Sequence, residues 1–368
     1  MTKAAELAKM GEVLTNSQIG GRRNILINSA MQVAQRSTSV TGIGASSGYF
    51  TLDRWKIEVG STAGRATMTQ TADGPVGFAN CMKLDCTTAD TSIAAGEILI
   101  LTQPIEAQDL QQLGKGTSDA KEVTLSFYVK ANAAFTFVVE FQDQDNSRLN
   151  GKTFATTTDW VRHEVTFEAD TTGAFGDDNN EGGRINFWLH SGSTYAGGTL
   201  PSGWVARSGN DVNRAAGISS FFSSTDNEFF ITGVQLEVGE QATPFEHRSF
   251  GEELALCQRY YYHHVGGSGT NKFVCIGDFY TTVQGNTGIS FPVAMRSAPT
   301  LVANNGSNYW LAYQKNAAFY SAAAWIIFGA TTNATTCYNQ GFSGATSGGS
   351  CRVMAYDASA YMAFDAEL

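Results

Sequence analysis

Charge is what this sequence has least of. Asp, Glu, Lys and Arg make up 16% of its 368 residues, against roughly 25% in ordinary soluble domains. The balance is acidic, at a formal −10, and no basic cluster exceeds the Arg22-Arg23 pair. A nucleic-acid partner is thereby excluded, because phosphate binding needs a basic stripe. Long apolar runs are missing as well. Ala317 to Ala330 is broken by Ser321 and falls short of a bilayer span, which argues against membrane insertion. The opening MTKAAELAKMGEVLTN has interleaved charges and no apolar core of a signal peptide, in keeping with a chain made in the host cytoplasm.

Histidine is rare, and none of the six cysteines (Cys81, Cys86, Cys257, Cys275, Cys337, Cys351) has CxxC spacing. That speaks against a zinc site and against a resident cofactor. Cys337 and Cys351 bracket a Gly/Ser-rich segment, but several pairings are open; the expectation is buried, reduced thiols. No G-x-S-x-G, H-E-x-x-H or P-loop occurs, and the acids fall in turns or on the polar faces of strands. The chain is therefore expected not to be an enzyme. A glycosidase-like carboxylate pair assembled only by the fold is the alternative that sequence leaves open.

What is abundant is Gly (39), Phe (23) and Tyr (13), among many Ser, Thr and Asn. Aromatic and β-branched residues between small turn-formers predict short strands joined by loops. In VTLSFYVKA, Val123, Leu125, Phe127 and Val129 alternate with polar neighbours, marking a strand with one dry face. Trp160 to Phe167, Arg184 to His190 and Glu228 to Gly239 read the same way. Further strands are predicted at Ile25–Ala30, Trp55–Val59, Arg65–Gln70, Ala79–Leu84, Glu97–Leu101 and Thr136–Gln142. With no helices between them, they predict an antiparallel jelly-roll sandwich over residues 25–245.

Two helices punctuate this pattern. Leu7, Met10 and Leu14 form a narrow apolar stripe in residues 3–14, part of an N-terminal segment, 1–24, suited to attachment or trimerisation. Ser249 and Glu252 have capping-box spacing before Leu254 and Cys257, predicting a linking helix within 246–258. Aromatic-rich strands resume over 259–368, a smaller C-terminal β domain.

Three segments resemble one known family: SQIGGRRNILINSAMQVAQRS with GYFTLDRWKI, then GVQLEVGEQATPFEHRSFGEELALCQRYY, then GISFPVAMRSAPTLV. Together they resemble tail-fibre or fibre-like virion proteins of marine bacteriophages. The middle region is also similar to jelly-roll carbohydrate-binding modules, through its LSFYVKA, DWVRHEVTF and QLE-x-G strands. The resemblance implies a homotrimeric structural virion component. It would join other tail or adaptor proteins through residues 1–24 and adhere through 259–368 to a host surface glycan. The alternatives are a capsid- or neck-attached decorating fibre with no receptor role, and a polysaccharide depolymerase.

Sugar recognition needs flat aromatic faces beside polar groups. Trp188, Tyr195 and Trp204 flank the polar loop Ser191–Gly203 and are one candidate set. Tyr309, Trp310, Tyr313 and Tyr320 in the last domain are another, with some of that group needed for the core. Asp177, Asp178 and Glu181 in GDDNNEGG offer hard oxygen ligands of the kind calcium takes, against the simpler reading of a solvated acidic turn.

Overall fold

The structure, a computed structural model, describes Lys3 and residues 23–266, 271–306, 308–315, 317–321, 323 and 325–368. The predicted N-terminal helix lies outside the described residues apart from Lys3. The chain divides into two compact units, Met1–Glu253 with Leu368, and Leu254–Glu367. Both are all-β and antiparallel.

In the first unit a six-stranded sheet runs in the order β1 (Ser39–Ile43), β4 (Arg65–Thr71), β5 (Cys81–Thr88), β13 (Glu228–Val238), β7 (Val123–Ala131), β10 (Val161–Phe167). A seven-stranded sheet runs β12 (Val205–Ala206), β9 (Arg148–Ala155), β8 (Thr136–Asp143), β11 (Glu181–Ser191), β6 (Ile98–Glu106), β3 (Lys56–Gly60), β2 (Gly48–Tyr49). Alternation along the strands decides what they bury. Leu125, Phe127 and Val129 of the first sheet meet Phe137, Val139, Phe141, Ile185 and Phe187 of the second in one core. Phe127 and Phe187 pack edge to face at 5.1 Å. This is the expected β-sandwich.

The predicted strand Ile25–Ala30 does not form. Asn28 takes a left-handed φ of 55°, and its side-chain amide donates to the carbonyls of Val33 and Asp53 while accepting from Val33 N–H. A side chain that satisfies the backbone this way competes with a ladder. Leu26 and Met31 still reach the core, so the segment is an irregular plug.

The linking helix spans Phe250–Gln258, with Ser249 Oγ accepting from Glu252 N–H as the capping box requires. The division between the two units falls inside it.

The second unit pairs a three-stranded sheet, β14 (Tyr261–Val265), β23 (Met362–Asp365), β17 (Thr300–Ala303), with a seven-stranded one. The latter runs β19 (Ala317–Ser321), β18 (Trp310–Gln314), β22 (Ser350–Ala355), β15 (Lys272–Phe279), β16 (Gly285–Ser290), β21 (Ala334–Asn339), β20 (Ile326–Ala330). Phe279, Trp310, Val353, Met362 and Phe364 share its core. All six cysteines are buried, and none is in a disulfide. No helix among the described residues is long and apolar enough to cross a membrane.

Candidate functional site

Each seven-stranded sheet has an outer face that does not serve its core. In the first unit, Val138, Glu140 and Gln142 on β8, Trp188, Asn186 and Arg184 on β11, and Ile100 and Thr102 on β6 alternate outward. The chain roofs part of this face itself. Tyr195, Ala196, Leu200, Ala215 and Ile218 cover Ile100, Val138 and Trp188. Arg214 descends from the same segment, setting its guanidinium 4.8 Å above the Trp188 ring. It donates to both Glu140 oxygens, at 2.9 and 2.6 Å, and to Gln142 at 2.8 Å. Burial opposes the guanidinium's charge, but Glu140 outweighs it and holds the Arg214 pKa above its ordinary value.

Trp188 is consequently 0% exposed and offers no platform to a sugar. Tyr195 does meet it, with centroids 5.5 Å apart, but as part of the roof. Trp204 is elsewhere: it packs edge to face on Phe141 of the core and donates from Nε1 to the Glu168 carbonyl. The predicted triad is thus split across two faces of one sheet. The calcium reading of Asp177, Asp178 and Glu181 gains no support from geometry. Glu181 pairs with Arg184, and the Asp178 carboxylate accepts from Asn180 N–H and Nδ2, both at 2.9 Å, as a turn-forming side chain does. These three do not form a metal-ligating group.

The outer face of the second unit is open. Asp278 on β15 lies directly opposite Asn286 on β16, Asn286 opposite Tyr338 on β21, and Tyr338 opposite Ile326 on β20. Register alone therefore sets a carboxylate, an amide, a phenol ring and an aliphatic chain in one row. Beside them, Phe328 sits at a bulge where β20 slips against β21 between Ile327 and Gly329. Such a bulge re-aims a side chain, and Phe328 is 83% exposed. Ile276 (70%) and Tyr280 (66%) are also out of the core. Together they line a groove of about 650 Å³ whose floor includes Gly277, Gly288 and Thr336. Gly277 is required there, because a Cβ would stand 2.0 Å from the Asn286 carbonyl oxygen. Gln284 Nε2 donates to Asn286 Oδ1 at 2.8 Å, which orients the amide and leaves its own N–H groups uncommitted. The Asp278 carboxylate has no hydrogen bond or ion pair among the described residues. An acceptor and a donor side by side, bordered by exposed rings, is chemistry suited to vicinal hydroxyls under an apolar C–H face.

Of the predicted aromatic set, Trp310 is wholly buried, with its Nε1 donating to the Asn304 carbonyl at 3.3 Å. Tyr309 is half-buried and packs against that core. Tyr313 lies under the Arg352 guanidinium at 5.2 Å, and Tyr320 meets Tyr356 edge to face at 5.0 Å. Tyr320 is thus the exposed one of the four and Tyr313, like Tyr309, is half-buried, while Tyr280, Phe328, Asp278 and Asn286 are not singled out by sequence. Only Tyr280 carried a sequence signal, as an aromatic beside the Thr/Gln/Gly/Asn turn 281–286.

No protein-family model and no curated protein matches the sequence. Solved structures match part of the chain at low values. A CBM4 structure matches at TM-score 0.30 and 14% identity, over 58% of this chain and 98% of its own. The CBM22-1 xylan-binding domain of Paenibacillus barcinonensis Xyn10C gives 0.28 and 10%, over 61% and 100%. The enzymatically active domain of tailspike protein 4 from bacteriophage CBA120 gives 0.31 and 14%, over 58% of this chain but 21% of that one. At such values no ligand, partner or activity follows for this chain.

Proposed function

We propose that this chain is a non-catalytic, glycan-binding subunit of a phage tail fibre, contacting the host envelope through the open sheet face of its second unit. The observation that carries the reading is the row Asp278–Asn286–Tyr338 flanked by exposed Phe328, Tyr280 and Ile276. An uncommitted acceptor and donor beside aromatic and aliphatic surface answers the two halves of a sugar: hydroxyl rim and C–H face. The virion location and the fibre role draw on the three tail-fibre-like segments of the sequence. Homotrimerisation belongs to the same reading, because three weak sites on one fibre bind a repetitive polysaccharide with high effective concentration.

The test is a microarray of bacterial surface polysaccharides probed with the full chain and with an Asp278→Ala/Asn286→Ala double variant. Saturable binding to one glycan class, lost in the double variant while circular dichroism is unchanged, supports the proposal. Absence of binding by the folded chain overturns it in favour of a decorating fibre, and released oligosaccharide would favour the depolymerase. Sedimentation at three times the 39.4 kDa chain mass is expected; a monomer would remove the trimer.

A further inference from the structure

The loop joining β5 to β6 holds an assembly that glycan binding does not use. Residues 91–96 are exposed, yet the residues at its two ends, Asp90 and Glu97, are buried. A third buried group, His190 near the end of β11, meets them. One ligand atom from each of Asp90, Glu97 and His190 lies within 4.8 Å of the others. The ladder between β11 and β6 slips between Trp188 and His190, a bulge that sets His190 apart from the strict alternation of its strand.

Each group is held by a second layer of contacts. His190 Nδ1 is 2.7 Å from Ser220 Oγ, leaving Nε2 toward Glu97 Oε2 at 3.2 Å. Fixing one ring nitrogen by a hydrogen bond is how proteins aim the other at a metal. Asp90 Oδ2 accepts from Thr62 Oγ1 at 3.0 Å and Ala63 N–H at 2.8 Å, and Oδ1 accepts from Ser92 N–H at 3.3 Å.

Charge is the second, independent observation. Among the described residues neither Asp90 nor Glu97 forms an ion pair with a lysine or arginine, and Glu97 meets a basic side chain only at His190. Two adjoining buried carboxylates with no Lys or Arg beside them among the described residues make a pocket whose charge a cation from outside the chain would neutralise.

We propose that Asp90, Glu97 and His190 form a structural site for a divalent transition-metal ion of the zinc class, clamping the base of the 91–96 loop to β11. One imidazole nitrogen with two carboxylate oxygens suits Zn²⁺ better than Ca²⁺, which takes six to eight oxygens. The site stands apart from the glycan face and does not rest on that reading.

The experiment is calorimetric titration of the EDTA-stripped full chain with Zn²⁺ and, in parallel, Ca²⁺. It is repeated on Glu97→Gln, which keeps the side-chain shape, on His190→Gln and on Ser220→Ala. One Zn²⁺ per chain is expected, with protection of the 91–96 loop from protease. Ligand substitution should weaken binding by more than roughly 100-fold, and Ser220→Ala by about 10-fold. Circular dichroism checks that each variant folds. No zinc uptake by the folded wild-type chain, or equal uptake by folded Glu97→Gln, would overturn the proposal; tighter binding of Ca²⁺ than Zn²⁺ would overturn the assignment of the ion.

Discussion

The two outer sheet faces make opposite use of similar residues. On the first unit's face, Arg214, Glu140, Gln142 and Trp188 consume one another beneath a covering segment, and Trp188 is fully buried. On the second unit's face, Asp278, Asn286, Tyr338 and Phe328 stay available, and no described segment covers Phe328, Tyr280 or Ile276. Aromatic and polar content is therefore a poor guide to a binding surface; what matters is whether the chain has already spent it on itself.

The strongest way to break this comparison is to unroof the first face. Arg214→Ala strands Glu140 as an unpaired buried charge and should cost about 3–5 kcal/mol of stability. Trp188→Ala should cost a similar ~3–5 kcal/mol. Chemical denaturation of the full chain reads both, as loss of the transition assigned to the first unit. If either variant is as stable as wild type, the roof is not a packed part of the fold. On the open face the pattern reverses. Phe328→Ala should change stability by less than about 0.5 kcal/mol yet weaken glycan binding about tenfold, as expected from losing roughly 1.4 kcal/mol of ring contact.

Acid sharpens the contrast further. Burial lowers the pKa of His163 and His190 in the first unit and of His263 and His264 in the second. Folded imidazoles of this kind bind protons less readily than unfolded ones, so both units lose stability as pH falls below roughly 6.5. Burial would raise Asp90, Glu168 and Asp170, but their hydrogen bonds and, for the last two, Lys or Arg partners hold them low. Their contribution is present at neutral pH and is lost as pH falls below the ordinary carboxylate range near 4. These three depressed carboxylates lie in the first unit, so its melting should keep falling as pH drops below 4. Differential scanning calorimetry across pH 7 to 3 checks this.

Sequence reading reached the architecture well where alternation was strong. Val123–Ala131, Val161–Phe167 and Glu228–Val238 carry regular apolar positions, and they form β7, β10 and β13. It missed β9, β21 and β23, which are short of large apolar residues or rich in Thr, Ala and Asn. The Ile25–Ala30 error came from apolar spacing that Asn28's left-handed backbone overrides. The site was less legible for a physical reason. Phe328 owes its exposure to a bulge, Trp188 owes its burial to a segment downstream, and Asp90 and His190 meet only through the sheet. None of these follows from local pattern.

The smallest expected effect is shared by both units. Burial pushes the Cys81 and Cys275 thiols up to about 12, and those of Cys86, Cys337 and Cys351 up to about 11. Thiolate is the reactive form, so a disulfide exchange reagent at pH 8 should titrate almost no thiol in the native chain and all six cysteines after denaturation. Rapid reaction of thiols confined to one unit would mark that unit as loosely packed.

The most direct test of the open-face account is hydroxyl-radical footprinting of the full chain with and without its best-binding polysaccharide. The account predicts strong oxidation of Phe328, Tyr280 and Ile276 in the free protein, marked protection of all three by the glycan, and little oxidation of Trp188 in either state. Unchanged labelling at Phe328 with protection appearing around residues 195–218 would place the ligand on the roofed face and contradict it.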